Sequence, residues 1–129
     1  VIKFTIDRTK WDRGSGVGRL WNSKEDCGCF LGHIALQCGI SKAFITNQAS
    51  PIDAPSGEIM EYPVWRTNPQ WQEEVSKYPD FLVDKTLGVT SICWTAMEVN
   101  DDPTLTDERR EEKLRNLLIL NDCLLTFTN

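Results

Sequence analysis

The chain lacks much of what would narrow its function quickly. No apolar run approaches the ~20 residues of a membrane span. The opening VIKFTIDR lacks the layout of a secretory signal, so a cytoplasmic protein is expected. The five cysteines are odd in number and irregularly spaced, and no second Cys-x-x-Cys pair exists. These read better as reduced thiols in a cytoplasmic protein than as a disulfide frame. There is no excess of positive charge: 14 basic side chains stand against 19 acidic ones, a net charge of −5. An acidic whole argues against general nucleic-acid affinity. No internal repeat and no long linker appears, so the 129 residues are expected to form one domain, residues 1–129.

What is present is ordinary for a globular core, 40% hydrophobic and 26% charged. Charge is unevenly spread. Lys3, Arg8, Lys10, Arg13, Arg19 and Lys24 face only Asp7 and Asp12, so residues 1–24 carry +4 and the remainder −9. Within this basic end lies WDRGSGVGRLW. Its Gly14-Ser15-Gly16-Val17-Gly18 centre can turn backbone N–H groups to one side. Arg13 and Arg19 flank it, and Trp11 and Trp21 stand at the ends. Trp11, Arg13, Gly16, Arg19 and Trp21 are therefore the candidate ligand residues. Guanidinium groups would pair with a phosphate and an indole would stack on a base. No Lys-Ser/Thr ending follows, as a P-loop would require. The plainer alternative is a glycine loop anchored by its tryptophans.

Hydrophobic spacing gives the fold. Ile2, Phe4 and Ile6 alternate with Lys3 and Thr5, a half-buried strand, and RTKW suits one helical turn. Asp26 to Gly39 is the most apolar helical stretch, with Phe30, Leu31, Ile34, Ala35 and Cys38 on one arc. Ser23 and Asp26 suggest a capping box, and Gly39 a left-handed end. Gly28 and Gly32 leave one face bare, so a close neighbour is expected there. Ser41 caps a short helix. Residues 47–57 read as a loop and 58–65 as an edge strand or extended segment. Pro69 opens a helix carrying Trp71, Val75 and Tyr78. Residues 88–99 have helical spacing, though their β-branched content keeps a strand open. Asp107 to Asn121 is a helix with a solvated DERREEK start. Leu114, Leu117, Leu118 and Asn121 form its inner face, widened by Ile119 and Leu120. CLLTFT ends the chain as a strand expected beside residues 2–6. The class is α+β: a buried central helix, further helices and a small sheet holding both terminal strands.

Cys27, Cys29, His33 and Cys38 invite chemistry. Zinc would need them to converge, but on one helix Cys27 points away from Cys29 and His33. A cysteine nucleophile at the helix start would need a base from a later strand, and His33 is the only histidine. Buried thiols packing as small hydrophobes remain. No catalytic residue, metal or cofactor is assigned, and no enzyme is expected. The acidic residues at 101–112 lack the ligand alternation and central glycine of a calcium loop, so turn and helix-start chemistry is expected.

FTIDRTKW-x-RG, the Cys29-Phe30-Leu31-Gly32 helix start, QCGI and MEVNDDPTLTDERREEKLRNL together resemble a family of small tailed-phage and prophage proteins. That family carries a Cys-Cys-Leu-Gly helix start and a late Asn-Asp-Asp turn. Phe30 stands where the second Cys is usual, which argues against paired-cysteine chemistry. The resemblance leaves out residues 47–87. It implies a viral accessory protein acting on a host protein or signal. The leading expectation is a non-enzymatic anti-defence inhibitor that binds a host protein in the host cytoplasm. The alternatives are a sponge for a phosphorylated nucleotide-type signal and a cysteine hydrolase.

Overall fold

The computed structural model describes residues 2–15, 19–46, 48, 69–84 and 88–129. The centre of the glycine loop, including Gly16, lies outside the described residues. So do nearly all of the 47–57 loop and the whole expected strand at 58–65. Strand β1 (Ile2–Asp7) and strand β4 (Cys123–Thr128) pair in parallel, from Ile2 opposite Cys123 to Asp7 opposite Thr128. The alternation in both strands turns Phe4, Ile6, Cys123 and Leu125 into the core. The two chain ends thus meet in an α+β domain, as the patterning predicted. A 3₁₀ turn at Arg8–Lys10 follows β1, with the Asp7 carboxylate accepting from Thr9 N at 2.9 Å.

Helix α1 (Phe30–Gln37) is central and buried on most sides: Phe30, Leu31, Ile34 and Ala35 are core residues. It begins four residues later than the sequence suggested, and the Ser23–Asp26 capping box does not form. Asn22 instead pairs with Cys27, its Oδ1 accepts from Lys24 N and Glu25 N at 3.1 and 3.2 Å, and Asp26 takes a positive φ of 49°. A tight turn outcompetes the helix there. The bare glycine face has the expected neighbour. A Cβ on Gly28 or Gly32 would run into the carbonyl of Leu20, whose backbone lies across both. Gly39 ends the helical turn at φ 88°.

Helix α2 (Lys42–Ile45) is capped by Ser41, whose hydroxyl accepts from Phe44 N at 3.2 Å. Helix α3 (Pro69–Val75) buries Trp71 and Val75, with Tyr78 buried just beyond. Strands β2 (Val83–Asp84) and β3 (Gly88–Val89) form a short antiparallel pair. The 88–99 stretch divides: Gly88–Val89 takes the strand alternative, and α4 (Ser91–Asp101) is helical, starting on Thr90, which accepts from Cys93 N at 3.2 Å. Helix α5 (Asp107–Ile119) starts on Thr106 with Asp107 and Glu108 in its first turn, favourable to the helix dipole.

Two readings of α5 need correction. DERREEK is not wholly solvated, because Arg110 and Glu111 are buried. Arg110, Leu114 and Leu118 share a four-residue stripe facing the core, and the Arg110 guanidinium meets the end of α4. It donates to Val99 O at 3.1 Å, Asp102 O at 2.8 Å and Leu105 O at 2.9 Å. Ile119 and Leu120 do not widen the inner face; they are 51% and 82% exposed. The helix stops at Ile119 and the chain reverses through Asp122 at φ 57°, turning Leu120 outward. No helix of the described residues is long and apolar enough to cross a membrane.

Candidate functional site

The N-terminal loop, the start of α1 and the end of α4 converge on Asn100, a buried residue of the late Asn-Asp-Asp stretch. Its Oδ1 accepts from the Trp11 indole at 2.8 Å and from Phe30 N at 2.9 Å. Its Nδ2 donates to Asp12 O at 3.1 Å and to the Asp101 carboxylate at 2.9 Å. Its carbonyl accepts from Gly14 N at 2.7 Å. Cys29, the N-cap residue of α1, makes no side-chain cap. Asn100 supplies the missing acceptor from across the fold. Gly14 has φ 69°, and a Cβ there would stand 2.8 Å from the Arg110 guanidinium, so glycine is required by both backbone and space.

This node takes up several of the candidate ligand residues. Trp11 is buried, with its ring 5.0 Å from that of Phe127. Arg13 packs over the Trp11 indole at 4.6 Å and pairs with Asp107 through two bonds of 3.1 Å. A third contact runs to Trp11 O at 3.0 Å. Trp21 is also buried, edge-on to His33 at 5.4 Å, with the Lys42 ammonium 4.6 Å over its ring. Arg19 is exposed, and its charge only opposes the rise in the Asp12 pKa that burial and Asp101 produce. Both indoles are therefore buried with a cation over the ring, and neither presents an open face for a base. Desolvation, then the charge of Asp101, nevertheless raises the Asp12 pKa above the usual carboxylate value.

The thiols are all free, and burial pushes them up. Cys29 and Cys93 are raised to about 12 and Cys38 to about 11. A raised thiol is a poor nucleophile at neutral pH. The His33 Nε2 lies 2.8 Å from Lys10 O, and desolvation lowers the imidazole pKa below 6.5. That geometry makes Nε2 the protonated donor, since a carbonyl can only accept. Among the described residues no three His, Cys, Asp or Glu side chains converge as metal ligands.

The other feature of the surface lies along α4, α5 and β4. A groove of about 260 Å³ between α4 and α5 is lined by Thr95, Val99, Lys113, Asn116, Leu117 and Leu120. A second, of about 230 Å³, runs between α5 and β4 past Arg115, Ile119 and Leu124. Each groove has one charged lining residue, Lys113 in the first and Arg115 in the second, and both are cations. Lys113 makes no ion pair among the described residues. Trp94 on α4 is 54% exposed. The sequence offered a signal for this face: Ile119 and Leu120 extend the apolar content of α5 beyond what one inner stripe can bury.

No family model, curated protein or solved structure matches the chain.

Proposed function

We propose that this is a non-enzymatic accessory protein of phage type that binds and inhibits a host protein, a defence factor. The observation that carries the reading is the exposed apolar face of α4, α5 and β4. Leu120 borders the α4–α5 groove and Ile119 the α5–β4 groove, both exposed at the end of a helix whose inner side is well packed, and Trp94 is exposed on α4. Exposed apolar surface beside grooves is characteristic of protein contact sites. A partner suited to the α4–α5 groove places apolar side chains against Val99, Leu117 and Leu120 and a carboxylate against Lys113. The sequence resemblance supplies the viral setting.

The thiols support a non-catalytic reading, since burial raises all of them and His33 is held by a backbone carbonyl. The nucleotide-sponge reading has less support, because Arg13 is paired with Asp107 and both indoles are buried. The test is capture from a bacterial lysate by wild type and by Leu120→Asp, followed by calorimetry with the purified captured protein. Leu120 is exposed, so the substitution leaves folding intact. Binding by wild type and its loss in Leu120→Asp supports the reading. Equal binding by both proteins overturns the groove as the contact.

A further inference from the structure

The two edges of the terminal sheet are treated differently. On the β1 edge, the Gln37 amide acts as a mock strand: its Oε1 accepts from Thr5 N at 2.9 Å and its Nε2 donates to Thr5 O at 2.7 Å. Thr5 thus points its peptide groups away from β4. In a parallel ladder the facing residues alternate, so Thr126, opposite Thr5, points inward, and Leu125 and Phe127 point outward. Among the described residues no other strand meets that outer edge. β4 carries no charge and no proline, the usual guards of an edge strand. The α5–β4 groove runs beside it, with Ile119 and Leu124 exposed.

The charge around this edge is specific. Glu111 is buried and meets two guanidinium groups, Arg8 at 2.7 Å and Arg115 at 3.4 Å. Both guanidiniums lie over the Phe127 ring, at 5.6 and 5.1 Å from its centroid. One carboxylate against two guanidiniums leaves a positive charge beside Phe127, on a protein whose net charge is −5.

We propose that the outer edge of β4 accepts an extended, acidic segment of a partner protein as an added strand. Main-chain bonds form at Leu125 and Phe127, and a carboxylate meets Arg115. The proposal rests on the protein-binding reading and names the kind of segment bound. Strand addition takes its affinity from main-chain hydrogen bonds and its selectivity from side chains alongside. An uncharged edge fits a segment with an uncharged middle and a carboxylate at the end that lies beside Phe127, near the guanidiniums.

The probe is a capped heptapeptide, Asp-Val-Thr-Val-Thr-Val-Asp, titrated into the ¹⁵N-labelled protein. The expected result is saturable shifts at the Leu125 and Phe127 amides. Binding should weaken about tenfold with Lys in place of both Asp, and about tenfold in Arg115→Ala, as loss of one charge-assisted contact implies. A peptide N-methylated at alternate residues should not bind. Arg109→Ala, at an exposed pair with Glu112, should bind as wild type does. No shift at Leu125 and Phe127, equal binding of the Lys peptide, or unchanged binding in Arg115→Ala overturns the proposal. So does a concentration-dependent dimer that occupies the same amides, which would assign the edge to a second copy. If the peptide fails while Leu120→Asp still loses the captured protein, only the strand addition falls.

Discussion

The side chain of Asn100 caps a helix it does not belong to: its Oδ1 holds Phe30 N, 70 residues away, at 2.9 Å. The same oxygen holds the Trp11 indole at 2.8 Å. Asn100→Ala would leave two buried donors without partners, at roughly 1–3 kcal/mol each. The expected loss is therefore about 2–6 kcal/mol, read as a fall in the urea midpoint with unchanged slope. Asn100→Asp should also destabilise, because it removes the Nδ2 donor and turns a carboxylate oxygen toward Asp12 O and the Asp101 carboxylate. A midpoint unchanged in both variants would show that the node carries no stability.

Two glycines near α1 are required for different reasons and should respond differently. Gly32→Ala forces a Cβ into the Leu20 backbone, which cannot yield as a side-chain tip would. Loss of cooperative unfolding is expected. Gly39→Ala meets open space and carries only the strain of φ 88°, about 1–2 kcal/mol. Circular dichroism melts of the two variants check this; equal effects would contradict it.

His33 provides a stability–pH test, because it is the one histidine. Burial lowers its folded-state pKa below the ordinary 6.5. Between those two values the unfolded chain binds a proton that the folded protein refuses. Stability should therefore fall as pH drops through about 6.5 and level off below the folded-state value. In His33→Gln that dependence should disappear between about pH 7.5 and 5.5. An imidazole midpoint above 6.5 by NMR would contradict the assignment.

Thiol labelling tests the non-catalytic reading. Cys29 and Cys93 are buried and raised to about 12, so iodoacetamide at neutral pH should reach them only on unfolding. Cys27 and Cys38, each partly exposed, should react first. Rapid alkylation of Cys29 in the native protein would reopen the nucleophile reading.

Features that depend on neighbours in sequence were legible. Alternation in residues 2–6 and 123–128 marked both terminal strands, and the bare face of Gly28 and Gly32 announced a close contact, which Leu20 makes. What was not legible depends on distant partners. Asn100 fell just past the expected helical stretch, at the start of the Asn-Asp-Asp turn, and nothing local reveals that its amide serves Trp11 and Phe30. Arg110 read as solvated because charge usually lies outside, yet the carbonyls ending α4 hold its guanidinium in the core. The glycine loop suggested a ligand site from composition alone. Arg13 finds its anion within the chain, in Asp107, a pairing 94 residues apart that no spacing rule reaches.

The contact face itself is most directly tested by photo-crosslinking. A benzoylphenylalanine is placed at Leu120, on the apolar face, and in a second protein at Lys24, in the exposed turn before α1. Each is irradiated with the host protein captured by wild type. The account predicts an adduct from position 120 alone, suppressed by excess unlabelled wild type and mapped to one partner segment. No adduct at 120, or equal adducts at 120 and 24, would contradict docking through the α4–α5–β4 face.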